Sequence, residues 1–168
     1  MQTTLEQTNL NQLIEETKAD FIRNKEAILK NLETTPDDRI NWSPSPTSRT
    51  PLQVVTHVAL ALGGFHGMLM GEKFPWDNIA EADAAWRESE KEYTTREQVV
   101  NLLEENSAKY LAWLDTLTTE QLSETFQTPF GAVPYSVAIT FMGNHMAGHS
   151  GQIQYIQTIY GDMDWHMG

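Results

Sequence analysis

The stretch PYSVAITFMGNHMAGHSGQIQYIQTIY, residues 134–160, decides the fold of this chain. It contains no charged residue, and after its opening proline nothing in it stops a helix. Phe141, Met142, Ile153 and Ile156 make one side of that helix apolar. The same side carries His145 and His149, four residues and about 40° apart around the axis, so both rings project from one face. Gly143, Ala147 and Gly151 form a small-residue ridge that permits close helix contact, inside a bundle or across a dimer interface. The expectation is one long helix from about Pro134 to Tyr160.

Three more segments share that periodicity. From about Leu5 to Leu32, the residues Ile14, Phe21 and Ile28 recur every seven positions, with Leu10, Leu13, Thr17 and Leu32 in the same stripe. Thr50 as N-cap, Pro51 at the first helical position and Gln53 completing a capping box start a second helix that runs to about Met70. A third spans about Thr95 to Leu117, with Val99, Leu103, Tyr110, Trp113, Leu114 and Leu117 as its apolar stripe.

Between these, residues 36–49 read as an ordered loop rich in Pro and Ser. Residues 71–93 read as a long connection with a helical turn around Ala80 to Trp86. TFQTPFGAV reads as a small hairpin around Phe130-Gly131. Four long helical segments without convincing strands predict an all-α four-helix bundle, occupying residues 1–168 as a single domain.

Composition bounds the function. The chain has 11 Lys and Arg against 23 Asp and Glu, a formal net charge of −12. Phosphate backbones are held by clustered cations, so no nucleic acid is expected as partner. No membrane partner is expected either, since no run reads as the roughly 18 apolar residues that span a bilayer. The first residues lack the pattern of a secretory signal, which predicts a cytoplasmic protein. There is no cysteine, so thiolate ligands and a cysteine nucleophile are excluded.

The histidines carry the chemistry. Two imidazoles at i and i+4 on one helix can reach one metal ion, and burying them without partners would be costly. A lasting site needs a third ligand. His57, on the second helix, is a candidate, although a satisfied core histidine reads equally well there. His66 lies about 180° around the helix from His57, so the two cannot share a site. His166, in the tail, reads as a surface residue. Gln152, seven residues after His145, and Gln53, four before His57, are candidates for the second shell or for substrate contact. No Asp or Glu stands on the right face of either histidine-bearing stretch; Glu72 and Asp77 could reach the site from the connection.

Three stretches together carry a family resemblance: NWSPSPTSRTPLQVVTHVA (41–59), TTREQVVNLLEENSAKYLAWLDTLTTEQL (94–122) and TPFGAVPYSVAITFMGNHMAGHSGQIQYI (128–156). Their order, with one histidine on an early helix and H-x-x-x-H-x-G-Q on the last, resembles the DinB/YfiT-like superfamily. That resemblance implies a four-helix bundle holding one divalent metal through His57, His145 and His149, with Gly151-Gln152 matching the G-Q. Ser150 stands where many relatives carry a larger residue. Zn²⁺ is the first expectation, and Ni²⁺, Fe²⁺ or Mn²⁺ also suit nitrogen ligands.

The resemblance also implies a homodimer and a small-molecule substrate. Relatives include transferases and an isomerase that use low-molecular-weight thiols, and others are taken as hydrolases. The leading expectation is a metal-dependent S-transferase using such a thiol. The alternatives are a metal-dependent hydrolase and a non-catalytic metal-binding stress-response protein. Because imidazoles must be neutral to bind, metal affinity is expected to fall below about pH 6.5.

Overall fold

The computed structural model describes residues 2–128 and 131–166, with side chains from residue 8 onward. Four long helices form the body: α1 (Gln2–Thr34), α2 (Pro51–Leu69), α4 (Arg96–Leu114) and α7 (Phe141–Ile159). Between them lie α3 (Ile79–Glu90), the short α5 (Thr119–Ser123), a hairpin of β1 (Thr125–Thr128) and β2 (Gly131–Pro134), and the short α6 (Tyr135–Ala138). The four-helix bundle with a small hairpin is the architecture expected.

The seven-residue recurrence on α1 does what its period requires. Ile14, Phe21, Ile28, Leu10 and Leu32 are all buried, and α1 packs along α7 while α2 packs along α4. Phe21 meets the ring of Tyr110 at 5.1 Å between centroids. On α4, Val99, Leu103, Tyr110 and Leu114 are buried as expected, as is Leu117 just past the helix end, and only Trp113 stays at the core's edge. The capping boxes at Thr50–Gln53 and Thr95–Gln98 are both formed.

Two expectations about helices need correction. The last helix is interrupted: α6 ends at Ala138 and α7 starts at Phe141. The pause falls where the buried Tyr110 hydroxyl donates to the Ile139 carbonyl at 2.5 Å. Residues 79–90 form a full helix instead of a turn. Asn78 caps α3 by accepting from the Glu81 amide, a signal passed over because the apolar period after it is weak.

A third correction concerns α2. By length and apolar composition it is long enough to cross a membrane, although half of it is buried inside the bundle, as in the core helix of a packed domain. The hairpin pairs Thr128 with Gly131, and its turn at 129–130 lies outside the described residues.

Two polar devices fix the ends that flank the site. Arg96 donates to the carbonyls of Leu32 and Thr35 at 3.0 and 2.8 Å, which satisfies the C-terminal end of α1. Asn31, buried on α1, donates to the Ser150 hydroxyl at 2.7 Å and accepts from Gln157 through its own carbonyl at 3.2 Å. Ser150 therefore faces α1, not the side of α7 that carries the histidines.

Candidate metal centre

α2 and α7 pack side by side, and their contact brings together residues far apart in sequence. His57 is buried and His145 and His149 are half-buried. Their ring centroids lie 5.3 Å (57–145), 4.9 Å (57–149) and 4.4 Å (145–149) apart. One ring nitrogen from each lies within 4.8 Å of the other two. The i,i+4 pair and His57, the set that the family resemblance implied, thus lie together. Among the described residues this is the one such group of three or more His, Asp or Glu.

Burial sets the protonation of the pair. It drives the His145 pKa down to about 3 and that of His149 down to about 4, with the neighbouring histidines adding to the effect. Both rings are neutral at pH 7 and offer lone pairs. His145 Nε2 is buried without a hydrogen-bond partner among the described residues, a condition that costs about 1–3 kcal/mol unless something fills it. A divalent cation answers that deficit, and three neutral imidazoles are a donor set suited to Zn²⁺, Ni²⁺ or Fe²⁺. The residues present fit such an ion.

Two neighbours orient the rings. Gln152 Oε1 lies 2.8 Å from His149 Nδ1; an amide oxygen only accepts, so Nδ1 carries the proton and Nε2 keeps the lone pair. This places Gln152 behind a histidine. Gln53 behaves differently: its Oε1 accepts from the Thr50 amide at 2.9 Å, so its oxygen serves the helix cap.

The second neighbour is Glu90, which corrects the expectation that no acid stands close. Glu90 is 1% exposed and sits 3.4 Å from His57 Nδ1, longer than an aligned hydrogen bond but within strong electrostatic reach. Burial alone would raise its pKa, but His57 and Arg49 together hold it below the ordinary carboxylate value. An ionised carboxylate only accepts, so it favours the His57 tautomer with the proton on Nδ1. Arg49 Nε reaches both Glu90 oxygens at 2.9 Å, and Arg49 Nη2 reaches Asp83 at 2.7 Å. Glu72 and Asp77 lie elsewhere, along a cleft lined by Phe74 and Trp76.

Trp86, also on α3, stands edge-on to His57 at 5.4 Å and meets Trp76 at 5.4 Å. Reading residues 79–90 as mostly loop hid both Glu90 and Trp86. The Asn78 cap was the signal that could have revealed them.

The other histidines stay apart. His66 packs against Tyr110 and Trp113, and its Nε2 is also buried without a partner, but it belongs to no group of three or more such ligands among the described residues. His166 contacts Asp162 at 2.8 Å and is half-buried, a tie to its own tail where a free surface residue was expected.

A cavity of about 570 Å³ opens beside His149, between the loop at 44–49, α3 and the outer turn of α7. Of the small-residue ridge, Gly143 approaches the α1 backbone at Phe21, whereas Gly151 faces open space.

Comparison with known proteins places this geometry. The sequence model of the DinB superfamily matches residues 20–153. No curated protein matches the sequence. Among solved structures, YfiT from Bacillus subtilis, described as "a probable metal-dependent hydrolase with an unusual four-helix bundle topology", is similar at 20% identity and a TM-score of 0.71, covering 88% of this chain and 87% of that one. A DinB-like protein from the same organism is similar at 16% identity and a TM-score of 0.61, covering 89% and 94%. The colibactin self-resistance protein ClbS, solved in complex with a dsDNA, is similar at 15% identity and a TM-score of 0.65, covering 86% and 95%. At such identities the likeness concerns the fold.

Proposed function

This chain belongs to the DinB superfamily, and from that premise we propose that it is a divalent-metal-dependent enzyme acting on a small molecule, with His57, His145 and His149 as the ligands. The observation that carries this reading is the convergence of three imidazoles, two of them with a buried, unpartnered nitrogen, His57 Nδ1 and His145 Nε2. When bound, the cation would supply Lewis-acid activation of a thiol or of water. The protein's own part is to hold the ligands: Gln152 fixes the His149 tautomer, the Glu90 carboxylate beside His57 Nδ1 favours a proton there, and Arg49 keeps Glu90 in place.

The finer reading is an S-transferase that joins a low-molecular-weight thiol to an electrophile. Two features support it. The chain has no cysteine, so a reacting thiol must come from outside. The cavity beside His149 has the volume of a small-molecule site. Zn²⁺ remains the first choice of metal. Nucleic acid is a poorer fit, because net charge is −12.

Hydrolysis is the second reading, favoured by the description of YfiT. Incubation of metal-loaded protein with monochlorobimane and a panel of cellular thiols separates the two. Thiol-dependent, metal-dependent adduct formation supports transfer. If no thiol reacts while metal-dependent ester or amide cleavage is found, transfer is wrong and hydrolysis stands.

We also infer a homodimer. Phe141 and Ile159 are each 47% exposed and Tyr155 is 70% exposed along one side of α7, a patch suited to a second copy that would border the cavity, since Tyr155 and Ile159 also line it.

A further inference from the structure

The cavity beside His149 has an unusual electrostatic lining. Its charged residues are Arg49 and Arg87; Thr47, Ser48, Gln152 and Tyr155 supply polar groups, and no carboxylate lines it. In a chain with 23 acidic residues and 11 basic ones, a concave surface whose charges are all positive is a local exception.

Both arginines are held from behind. Arg49 uses Nε on Glu90 and Nη2 on Asp83. Arg87 uses Nε on Asp83 at 2.8 Å and Nη1 on the Thr47 carbonyl at 3.3 Å. Asp83 and Glu90 are not among the cavity's lining residues. Arg49 Nη1 and Arg87 Nη2 are left without a partner among the described residues, on side chains that border the cavity. A guanidinium has five N–H donors in a planar fork, so Arg49 Nη1 and Arg87 Nη2 keep N–H groups that can donate to one further oxyanion. Because each fork is already anchored, binding there sacrifices little side-chain freedom.

The opposite wall completes the space. A Cβ placed on Gly148 or Gly151 would meet nothing within 4 Å, so the α7 backbone on either side of His149 is bare and a ligand can lie against it. The forks, the bare wall and His149 line one cavity. Its contents are therefore constrained at two ends, an anionic one and a reacting one.

We propose that this cavity is the substrate site and that it selects small molecules bearing a carboxylate, which Arg49 Nη1 and Arg87 Nη2 receive while the reacting group points to His149. This rests on the enzyme reading above and narrows its substrate class. The alternative, that the arginines only brace the loop at 44–49 against α3, predicts no preference for an anion.

The test uses the purified full-length protein with its metal, titrated by calorimetry with two thiols, mercaptosuccinate and the uncharged 1-thioglycerol. Metal content is measured on the same samples. Wild type is expected to bind mercaptosuccinate at least about tenfold more tightly, the scale of one charge-assisted contact. In Arg87→Gln that advantage is expected to shrink to threefold or less, with metal content unchanged because Arg87 touches none of the three histidines. Arg87→Lys, which keeps the charge but lacks the fork, is expected to restore part of it.

The proposal is overturned if wild type shows no preference between the two thiols, or if the preference survives Arg87→Gln intact. Preference without bound metal would sink the metal reading and leave this one standing. Bound metal without preference would do the reverse.

Discussion

Glu90→Gln replaces a buried carboxylate with a group of nearly the same shape and no charge. Two effects follow from its surroundings. First, His57 Nδ1 loses the anion 3.4 Å away, and an amide can turn its NH₂ toward that nitrogen, favouring the tautomer that places the proton on Nε2. Outer partners of this kind are worth about 10–100-fold in metal affinity, or about 1.4–2.7 kcal/mol.

Second, Arg49 keeps only Asp83 as an ionic partner. Removing one member of a buried pair costs about 3–5 kcal/mol. Arg49 retains a salt bridge and its side chain is 13% exposed, so we expect a smaller loss, roughly 1–3 kcal/mol. The two effects separate in a control. Asp83→Asn removes the other partner of Arg49 but touches no histidine, so it should lower stability without changing affinity.

The assay is competition for Zn²⁺ with a chromophoric chelator, run beside thermal unfolding of the same samples. If Glu90→Gln holds zinc as tightly as wild type, or if Asp83→Asn weakens zinc binding to the same degree, the orienting role assigned to Glu90 is wrong.

Four further outcomes are expected. His145→Ala removes a ligand with an unpartnered buried nitrogen, and metal analysis of the purified variant should show occupancy lost while circular dichroism remains helical. The metal-free protein should lose stability as pH falls from about 6.5 to about 4. The folded pKa values of His145 and His149 are depressed, so the unfolded chain takes up protons first, at a cost on the order of 1 kcal/mol per pH unit for each ring; a flat urea midpoint across that window would refute it. Gly148→Val should fill open space beside His149, raising KM at unchanged metal content, and unaltered KM would show that substrate lies elsewhere. Phe21→Ala empties a site that is 1% exposed and should cost about 3–5 kcal/mol in denaturant unfolding.

Burial moves the titration of the two α7 histidines away from that of free imidazole. From free histidine values, protons should begin to displace the metal below about pH 6.5. With His145 and His149 depressed to about 3 and about 4, their competition in the folded protein begins nearer pH 4. Burial, which no local pattern records, makes the difference.

What could be read from the sequence was whatever repeats with the helical period or sits at a helix start. Ile14, Phe21 and Ile28 on α1, the Thr50–Gln53 cap and the common face of His145 and His149 are local facts, fixed by 3.6 residues per turn and by where backbone amides need acceptors. The place of His57 required knowledge of how related chains order their elements, since its own face suited a core histidine equally well.

The surroundings of the site were decided only in the tertiary structure. Glu90 reaches Arg49 across 41 residues and meets His57 because α3 is a full helix packed on α2. The cavity with two guanidinium groups exists because α3, the loop at 44–49 and α7 meet beside His149. Contacts of this kind leave no periodic trace along the chain. The three histidines that the sequence could nominate are held, oriented and given their cavity by partners that only the packing of helices supplies.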